Sequence, residues 1–218
     1  MPQSPGDRKP FVAGLVLGAG GSKRLGRPKQ LLPYGGETLL GHVVGVARAC
    51  RFDQTIVAIG GHADEVRSAI DLSGTEVVVN EEYGEGCSSS ISAALAVVDP
   101  RCDLLALMLG DQPGVTAETV AALRAGIDGA ALAVCRYDDG RGHPLAFGRD
   151  TFGALADLHG DKAVWRLLDE RAADVAEVPI AGPIPRDVDT EEDYRAVLDE
   201  LAPPVSARLY EGGGGRGI

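Results

Sequence analysis

The residues best suited to chemistry stand in one run, Gly18-Ala19-Gly20-Gly21-Ser22-Lys23-Arg24-Leu25-Gly26-Arg27-Pro28-Lys29-Gln30, directly after the apolar stretch Val12–Leu17. A buried strand that ends in glycines offers bare backbone N–H groups, and the four cations that follow can close around a polyphosphate. From Arg8 to Gly36 there are six Lys or Arg and no acid, against a formal net charge of -11 for all 218 residues. Positive charge gathered in one glycine-rich loop on an acidic background suits a small anion such as a nucleotide, not a nucleic-acid surface. Two familiar phosphate loops do not fit. The dinucleotide fingerprint needs a third glycine where Lys23 stands after Gly18 and Gly20, although Glu37 lies near the place of a ribose-binding acid; the P-loop needs Gly-Lys followed by Ser or Thr.

The acids that would complete such a site lie far downstream. In Gly110-Asp111-Gln112-Pro113, Asp111 follows the apolar run Leu104–Leu109 and so emerges at the carboxyl end of a strand, where open α/β sheets bind ligands. Asp189, in Asp187-Val188-Asp189-Thr190, can with Thr190 cap the last helix, and the family resemblance described below implies a second role for it as a metal ligand. His143, in Gly140-Arg141-Gly142-His143-Pro144, is open as a ligand, although a lone histidine is usually a satisfied polar group.

Positioning these residues requires strands and helices in alternation. Nearly continuous apolar runs at Val12–Leu17, Thr55–Ile59, Glu76–Asn80, Leu104–Leu109 and Ala130–Cys135 read as strands buried on both faces. Helical spacing covers roughly Thr38–Cys50, Ala63–Ile70, Ser88–Val98 and Thr116–Ala125. The fold class is α/β: a doubly wound, mostly parallel sheet with helices on both faces. Beyond Asp139 the order loosens into strands at Pro144–Phe147 and Val175–Ile180, a helix around Lys162–Arg171, and a last helix from Thr190 capped with Asp193. Residues 1–10 and 202–218 read as tails around one domain, 11–201. Cys50, Cys87, Cys102 and Cys135 have no metal or disulfide spacing, and no run is long enough to span a membrane; a cytoplasmic protein is expected.

The motif Leu17-Gly18-Ala19-Gly20, Arg24-Leu25-Gly26, Pro28-Lys29-Gln30-Leu31-Leu32 and Gly36 resembles the opening of the molybdenum cofactor cytidylyltransferase-like nucleotidyltransferases, relatives of the guanylyltransferases, and the likeness runs from about Phe11 to Leu201. The resemblance implies the Rossmann-like fold of nucleotide-diphospho-sugar transferases and transfer of a nucleoside monophosphate to a phosphorylated pterin-type acceptor. Its implied roles are a phosphate cradle from Leu17, Gly18, Ala19, Gly20, Gly21 and Ser22, and base and ribose contacts from Asn80, Gly86 and Ser88. Arg24 would sit on the triphosphate, Lys29 on the α-phosphate, Mg2+ on Asp111 and Asp189, and the acceptor beside His143 and Pro144. Ala19 between the opening glycines accompanies CTP in this family. A molybdenum enzyme or its chaperone is the implied protein partner. With aromatics at 5% of the chain, the acceptor's pocket is expected to rely on backbone and polar contacts. Alternatives are GTP or another phosphorylated acceptor, a pyridine-nucleotide-dependent reductase of the nicotine blue type, and a nucleotide-binding regulatory protein without catalysis.

Overall fold

In the computed structural model, which describes residues 8–160 and 162–201, the apolar runs become strands. In chain order the elements are β1 (Val12–Gly18), β2 (Pro33–Tyr34), β3 (Glu37–Thr38), α1 (Leu39–Ala49), β4 (Gln54–Ile59), α2 (Ala63–Ala69), β5 (Glu76–Val79) and α3 (Cys87–Leu95). There follow β6 (Leu104–Leu109), α4 (Ala117–Gly126), β7 (Leu132–Tyr137), β8 (Gly140–Gly148), α5 (Phe152–Ala156), α6 (Ala163–Glu170), β9 (Val175–Pro179) and α7 (Glu191–Leu201). Seven strands form one sheet in the order β5-β4-β1-β6-β8-β7-β9, all in one direction except β8.

Both faces of the sheet are covered, which is why the strands read as unbroken apolar runs. On one face Leu15, Leu107 and Phe147 pack with Ile91 of α3, Leu155 of α5 and Leu168 of α6. On the other, Val16, Val57 and Met108 meet Leu40 and Val44 of α1, Val66 of α2 and Val120 of α4. Thr38 caps α1 by accepting from Gly41 N at 3.1 Å. A smaller cluster of Leu32, Tyr34, Leu39, Val188, Tyr194 and Val197 docks α7 and the β2–β3 hairpin beside the sheet's carboxyl edge, with Tyr194 Oη donating to Pro33 O at 2.6 Å. Cys102 and Cys135 are buried, Cys50 and Cys87 half-buried.

Several expectations change. Strand β8 begins four residues earlier than the apolar pattern indicates and runs antiparallel, so its first residues lie at the carboxyl end of β6. The β2–β3 hairpin and the five-residue α5 carry no periodic signal of their own. Of the N-terminal tail, Arg8 is fixed by a fork onto Asp103 at 2.7 and 2.8 Å, because the acid at the start of β6 also accepts from Phe11 N. Residues 1–7 and the predicted tail 202–218 lie outside the described residues.

The sheet's carboxyl edge depends on a close approach. A Cβ on Gly110 would lie 2.8 Å from Leu40 Cδ1 and 2.9 Å from Leu17 O, whereas Gly45, exposed in α1, has nothing within 4 Å. Gly110→Ala is therefore expected to cost about 1–3 kcal/mol through overpacking, and Gly45→Ala to gain roughly 0.5–1 kcal/mol through helix entropy. Urea unfolding of the two variants checks the opposite signs.

Candidate active site

The glycine loop leaves β1 at the middle of the sheet and is held by its own carbonyls. Gln30, on the single 3-10 turn Lys29–Leu31, donates from Nε2 to Gly18 O at 2.7 Å and Gly20 O at 2.8 Å. Ser22 takes a positive φ of 49° and its hydroxyl accepts from Lys29 N at 2.9 Å, folding the loop back on itself. A Cβ on Gly20 would stand 3.3 Å from Lys29 Cε, so the missing side chain lets the lysine cross the loop. Gly110 N donates to Leu17 O at 2.8 Å, tying the end of β6 to the end of β1.

Three elements then bring charge together. Lys29 Nζ pairs with Asp111, two residues past β6, and at 2.8 Å with Asp189 Oδ1, just before α7. Arg24 binds the other oxygen of Asp189 at 2.6 Å. Val188 N donates to Asp111 O at 3.0 Å, which sets the two acids side by side. Burial opposes the ammonium charge, but Asp111 and Asp189 outweigh it and hold the Lys29 pKa above its ordinary value. Desolvation likewise opposes the Asp189 carboxylate, and Lys29 and Arg24 overcome it to pull its pKa down. Thr190 and Asp193 form the reciprocal cap of α7, with Thr190 N donating to Asp193 Oδ2 at 2.9 Å and Asp193 N to Thr190 Oγ1 at 3.2 Å. Capping thus falls to Thr190 and Asp193, and the Asp189 carboxylate is left to face the cations.

These groups border a cleft of about 720 Å³. Leu17 to Ser22, Arg24, Lys29, Gly86, Asp111, His143 and Asp189 all line it. Asn80, Ser88 and Pro144 do not. Asn80 spends its amide on the hydroxyls of Ser89 and Ser90 and accepts from Glu82 N, so it ties the loop to α3. Ser88 is buried and accepts from Gly160 N at 2.8 Å; Pro144 is buried in the sheet. Tyr83, from the same loop as Asn80, lies over Gly60 and Gly61, where a Cβ would come within 2.5–2.9 Å of its atoms, and faces the cleft beside Gly21. The side-chain oxygens of Gln30 and Gln112 are buried without a hydrogen-bond partner, a cost usually tolerated only where function needs it. Among the described residues no three His, Cys, Asp or Glu side chains converge as a metal site; Asp111 and Asp189 converge as a pair.

The far side of the cleft carries aromatic rings. Pairing of β7 with β8 passes from Val134 opposite Leu145 to Cys135 opposite Gly142, so His143 and Pro144 stand outside the ladder. Tyr137 Oη fixes this bulge by donating to His143 O at 2.7 Å. The His143 ring meets Trp165 of α6 edge to face, centroids 5.4 Å apart. Trp165 is the chain's single tryptophan. Burial lowers the His143 pKa to about 4, keeping the imidazole neutral near pH 7. Gln30, Tyr83, Arg141 and Trp165 join the site without having been assigned a role from sequence; Gln30, Tyr83 and Arg141 stand in stretches that also hold assigned residues, and Trp165 in none.

A family model described as the MobA-like NTP transferase domain matches residues 14–175. The chain belongs to the MobA-like NTP transferase family. The crystal structure of Rv0371c from Mycobacterium tuberculosis H37Rv superposes with a TM-score of 0.84 at 48% identity, covering 88% of this chain and 99% of that one. A second structure of Rv0371c, at 46% identity and TM-score 0.79 over 87% of this chain and 98% of that one, is a complex with manganese. Among curated proteins, nicotine blue oxidoreductase of Paenarthrobacter nicotinovorans is 35% identical over 115 residues, 52% of this chain. Bifunctional protein GlmU of Paraburkholderia phymatum is 32% identical over 171 residues, 77% of this chain. The matched segments span only 56% and 35% of those two relatives. In this MobA-like chain, as described, no helix is long and apolar enough to cross a membrane.

The neutral His143 leaves a pH signature in this family member. Above about pH 6.5 the imidazole is uncharged in both folded and unfolded chains; between 6.5 and about 4 only the unfolded chain takes up the proton, so stability falls as pH drops through that window. His143→Gln is expected to remove on the order of 1–2 kcal/mol of the acid-induced loss between pH 7 and pH 5. Denaturant unfolding at both pH values decides it, and equal acid sensitivity of the two proteins would contradict the neutral ring.

Proposed function

We propose that the protein transfers a nucleoside monophosphate, CMP from CTP, to the phosphate of a pterin-type acceptor of the molybdenum cofactor class, releasing pyrophosphate. The observation that carries this reading is the placement of Lys29 between Asp111 and Asp189 at the mouth of the glycine loop, with Arg24 beside them. An ionised phosphate oxygen of the acceptor attacks the α-phosphorus; the P–O bond to the β-phosphate breaks and its electrons leave with pyrophosphate. The nucleophile is already an anion, so no side chain must take a proton. What the site must supply is relief of repulsion between two anions and an in-line approach.

Each residue answers one of those needs. Arg24, a planar fork, can leave Asp189 for two oxygens of the triphosphate, and Lys29, a point charge, suits the α-phosphate and the charge that develops on it. The backbone of Ala19 to Ser22 surrounds the phosphates, and Ala19 is the loop residue that favours CTP. A divalent cation fits the paired carboxylates Asp111 and Asp189, because Mg2+ takes one or two carboxylates and completes its shell with phosphate oxygens and water. Bound there, it would neutralise phosphate charge. The manganese complex of Rv0371c supports use of such an ion. A molybdenum enzyme or its chaperone would take the dinucleotide product.

The oxidoreductase name of one relative favours a second reading, NADPH-dependent reduction. It leaves Lys29, Asp111 and Asp189 without work, since hydride transfer calls for no paired carboxylates. Binding of CTP, GTP and NADPH, each with and without Mg2+, separates the two. Metal-dependent preference for CTP that Asp111→Ala weakens is expected; tight NADPH binding indifferent to metal and to Asp111 would replace the transferase with the reductase. Lys29→Met and Asp111→Ala should each lower the rate of pyrophosphate release about 10²–10³-fold with the fold intact, and near-normal turnover of either would defeat the mechanism.

A further inference from the structure

We infer that Trp165 and His143 form an aromatic corner that selects an acceptor with a flat ring system, which makes Trp165 the residue that sets acceptor specificity. The inference rests on the transferase reading of the cleft and names the half of it that receives the acceptor. The sheet order supplies the first argument. Strand β6, which carries Asp111, lies between β1, which carries the glycine loop, and β8, whose early residues reach the same edge because β8 runs antiparallel. The loop and the bulge at His143 therefore flank Asp111 from opposite sides of one cleft. With the nucleotide's phosphates on the β1 side, the second substrate is left the β8 side.

The wall on that side is built to hold its shape. His143 and Trp165 meet at 81°, a corner instead of a stack, and a third flat ring can lie against a face of either. The two elements that carry the rings are braced against each other: Arg141 at the start of β8 pairs with Asp169 of α6 at 2.5 Å. Tyr137 holds the bulge from behind, and Gly142 admits Tyr137 and Ile184, which would crowd a Cβ there at 3.0–3.2 Å. Trp165 is only partly buried and lines the cleft with Val164, Ile184 and Arg141. A neutral imidazole adds one N–H donor and one nitrogen acceptor, a pairing suited to the edge of a heteroaromatic ring. An open-chain sugar phosphate gains little from such a corner, because it has no flat ring face to lay against either surface.

Because Trp165 is the only tryptophan, its emission reports occupancy of this half of the cleft directly. The test titrates the full-length wild-type protein, Trp165→Phe and Trp165→Leu with 6-hydroxymethylpterin phosphate and with erythritol 4-phosphate, in the presence of Mg2+ and a non-hydrolysable CTP analogue. Affinity is read by calorimetry, and Trp165 quenching is followed in the wild type. The pterin phosphate is expected to quench Trp165 saturably, to bind Trp165→Phe about as well, and to lose about tenfold or more in Trp165→Leu, a loss in the range of one base–aromatic stack. Erythritol 4-phosphate should bind weakly to all three. Unchanged binding of the CTP analogue in both variants shows that the fold survives. Equal pterin affinity in Trp165→Leu, or tighter binding of the sugar phosphate than of the pterin, would overturn the aromatic corner while leaving the transferase reading standing. Failure of the wild type to bind the CTP analogue at all would instead remove the transferase reading on which it rests.

Discussion

The ammonium of Lys29 between Asp111 and Asp189 is the contact on which the rest of the site depends. It joins three parts of the chain that are far apart in sequence: the glycine loop, the end of β6 and the approach to α7. Two carboxylates set side by side in a partly buried cleft repel each other, and a cation between them relieves the repulsion while both stay ionised. In the ligand-free protein that cation is Lys29, with Arg24 on the outer oxygen of Asp189. The cations of the glycine-loop segment therefore rest against the acids of the sheet edge, and each set keeps the other in place.

The fold is arranged to make that contact possible. Parallel strands β1 and β6 end at the same edge, and Gly110 allows their ends to touch, so the loop and Asp111 start within one hydrogen bond of each other. The satellite cluster of α7 and the β2–β3 hairpin supplies the third member: Val188 is buried in it, and its N–H reaches Asp111 O, which carries Asp189 to the lysine. None of this needs a long or special element. It needs strand ends, one short turn and a capped helix, each fixed by ordinary apolar packing on the layer behind it.

Where the sequence could be read, it was read through local physics. Unbroken apolar runs located β1, β4 and β6 within a residue, because strands covered on both faces carry no polar alternation. Gly18 to Gln30, Asp111 and Asp189 were conspicuous through charge type and position after strands. Other parts depend on contacts that no local pattern contains. Gly140 and Gly142 made the start of β8 look like a loop, whereas Gly142 is a glycine because Tyr137 and Ile184 press against it. Asn80 and Ser88 carry the right chemistry for a ligand, but Asn80 uses it to tie the loop to α3 and Ser88 to hold the backbone at Gly160. Gly35-Gly36, at φ values of 59° and 91°, is a hairpin signal that two-residue strands are too short to advertise.

Trp165 is the most instructive of the residues that local pattern did not reveal. A 5% aromatic content implied a wall of backbone and polar groups, yet composition counts residues and not where they gather. Helix α6 buries Val164, Leu167 and Leu168 in the core, and the position beside Val164 turns its side chain toward the rim of the cleft. Glycines alone can make a phosphate site, because phosphates are recognised by charge and by N–H groups, which need space and no side chains. An uncharged ring calls for something else, contact over its faces and hydrogen bonds at its edge. A protein poor in aromatics can still gather rings at one edge of its sheet, and here the antiparallel turn of β8 carries His143 to the helix that bears Trp165.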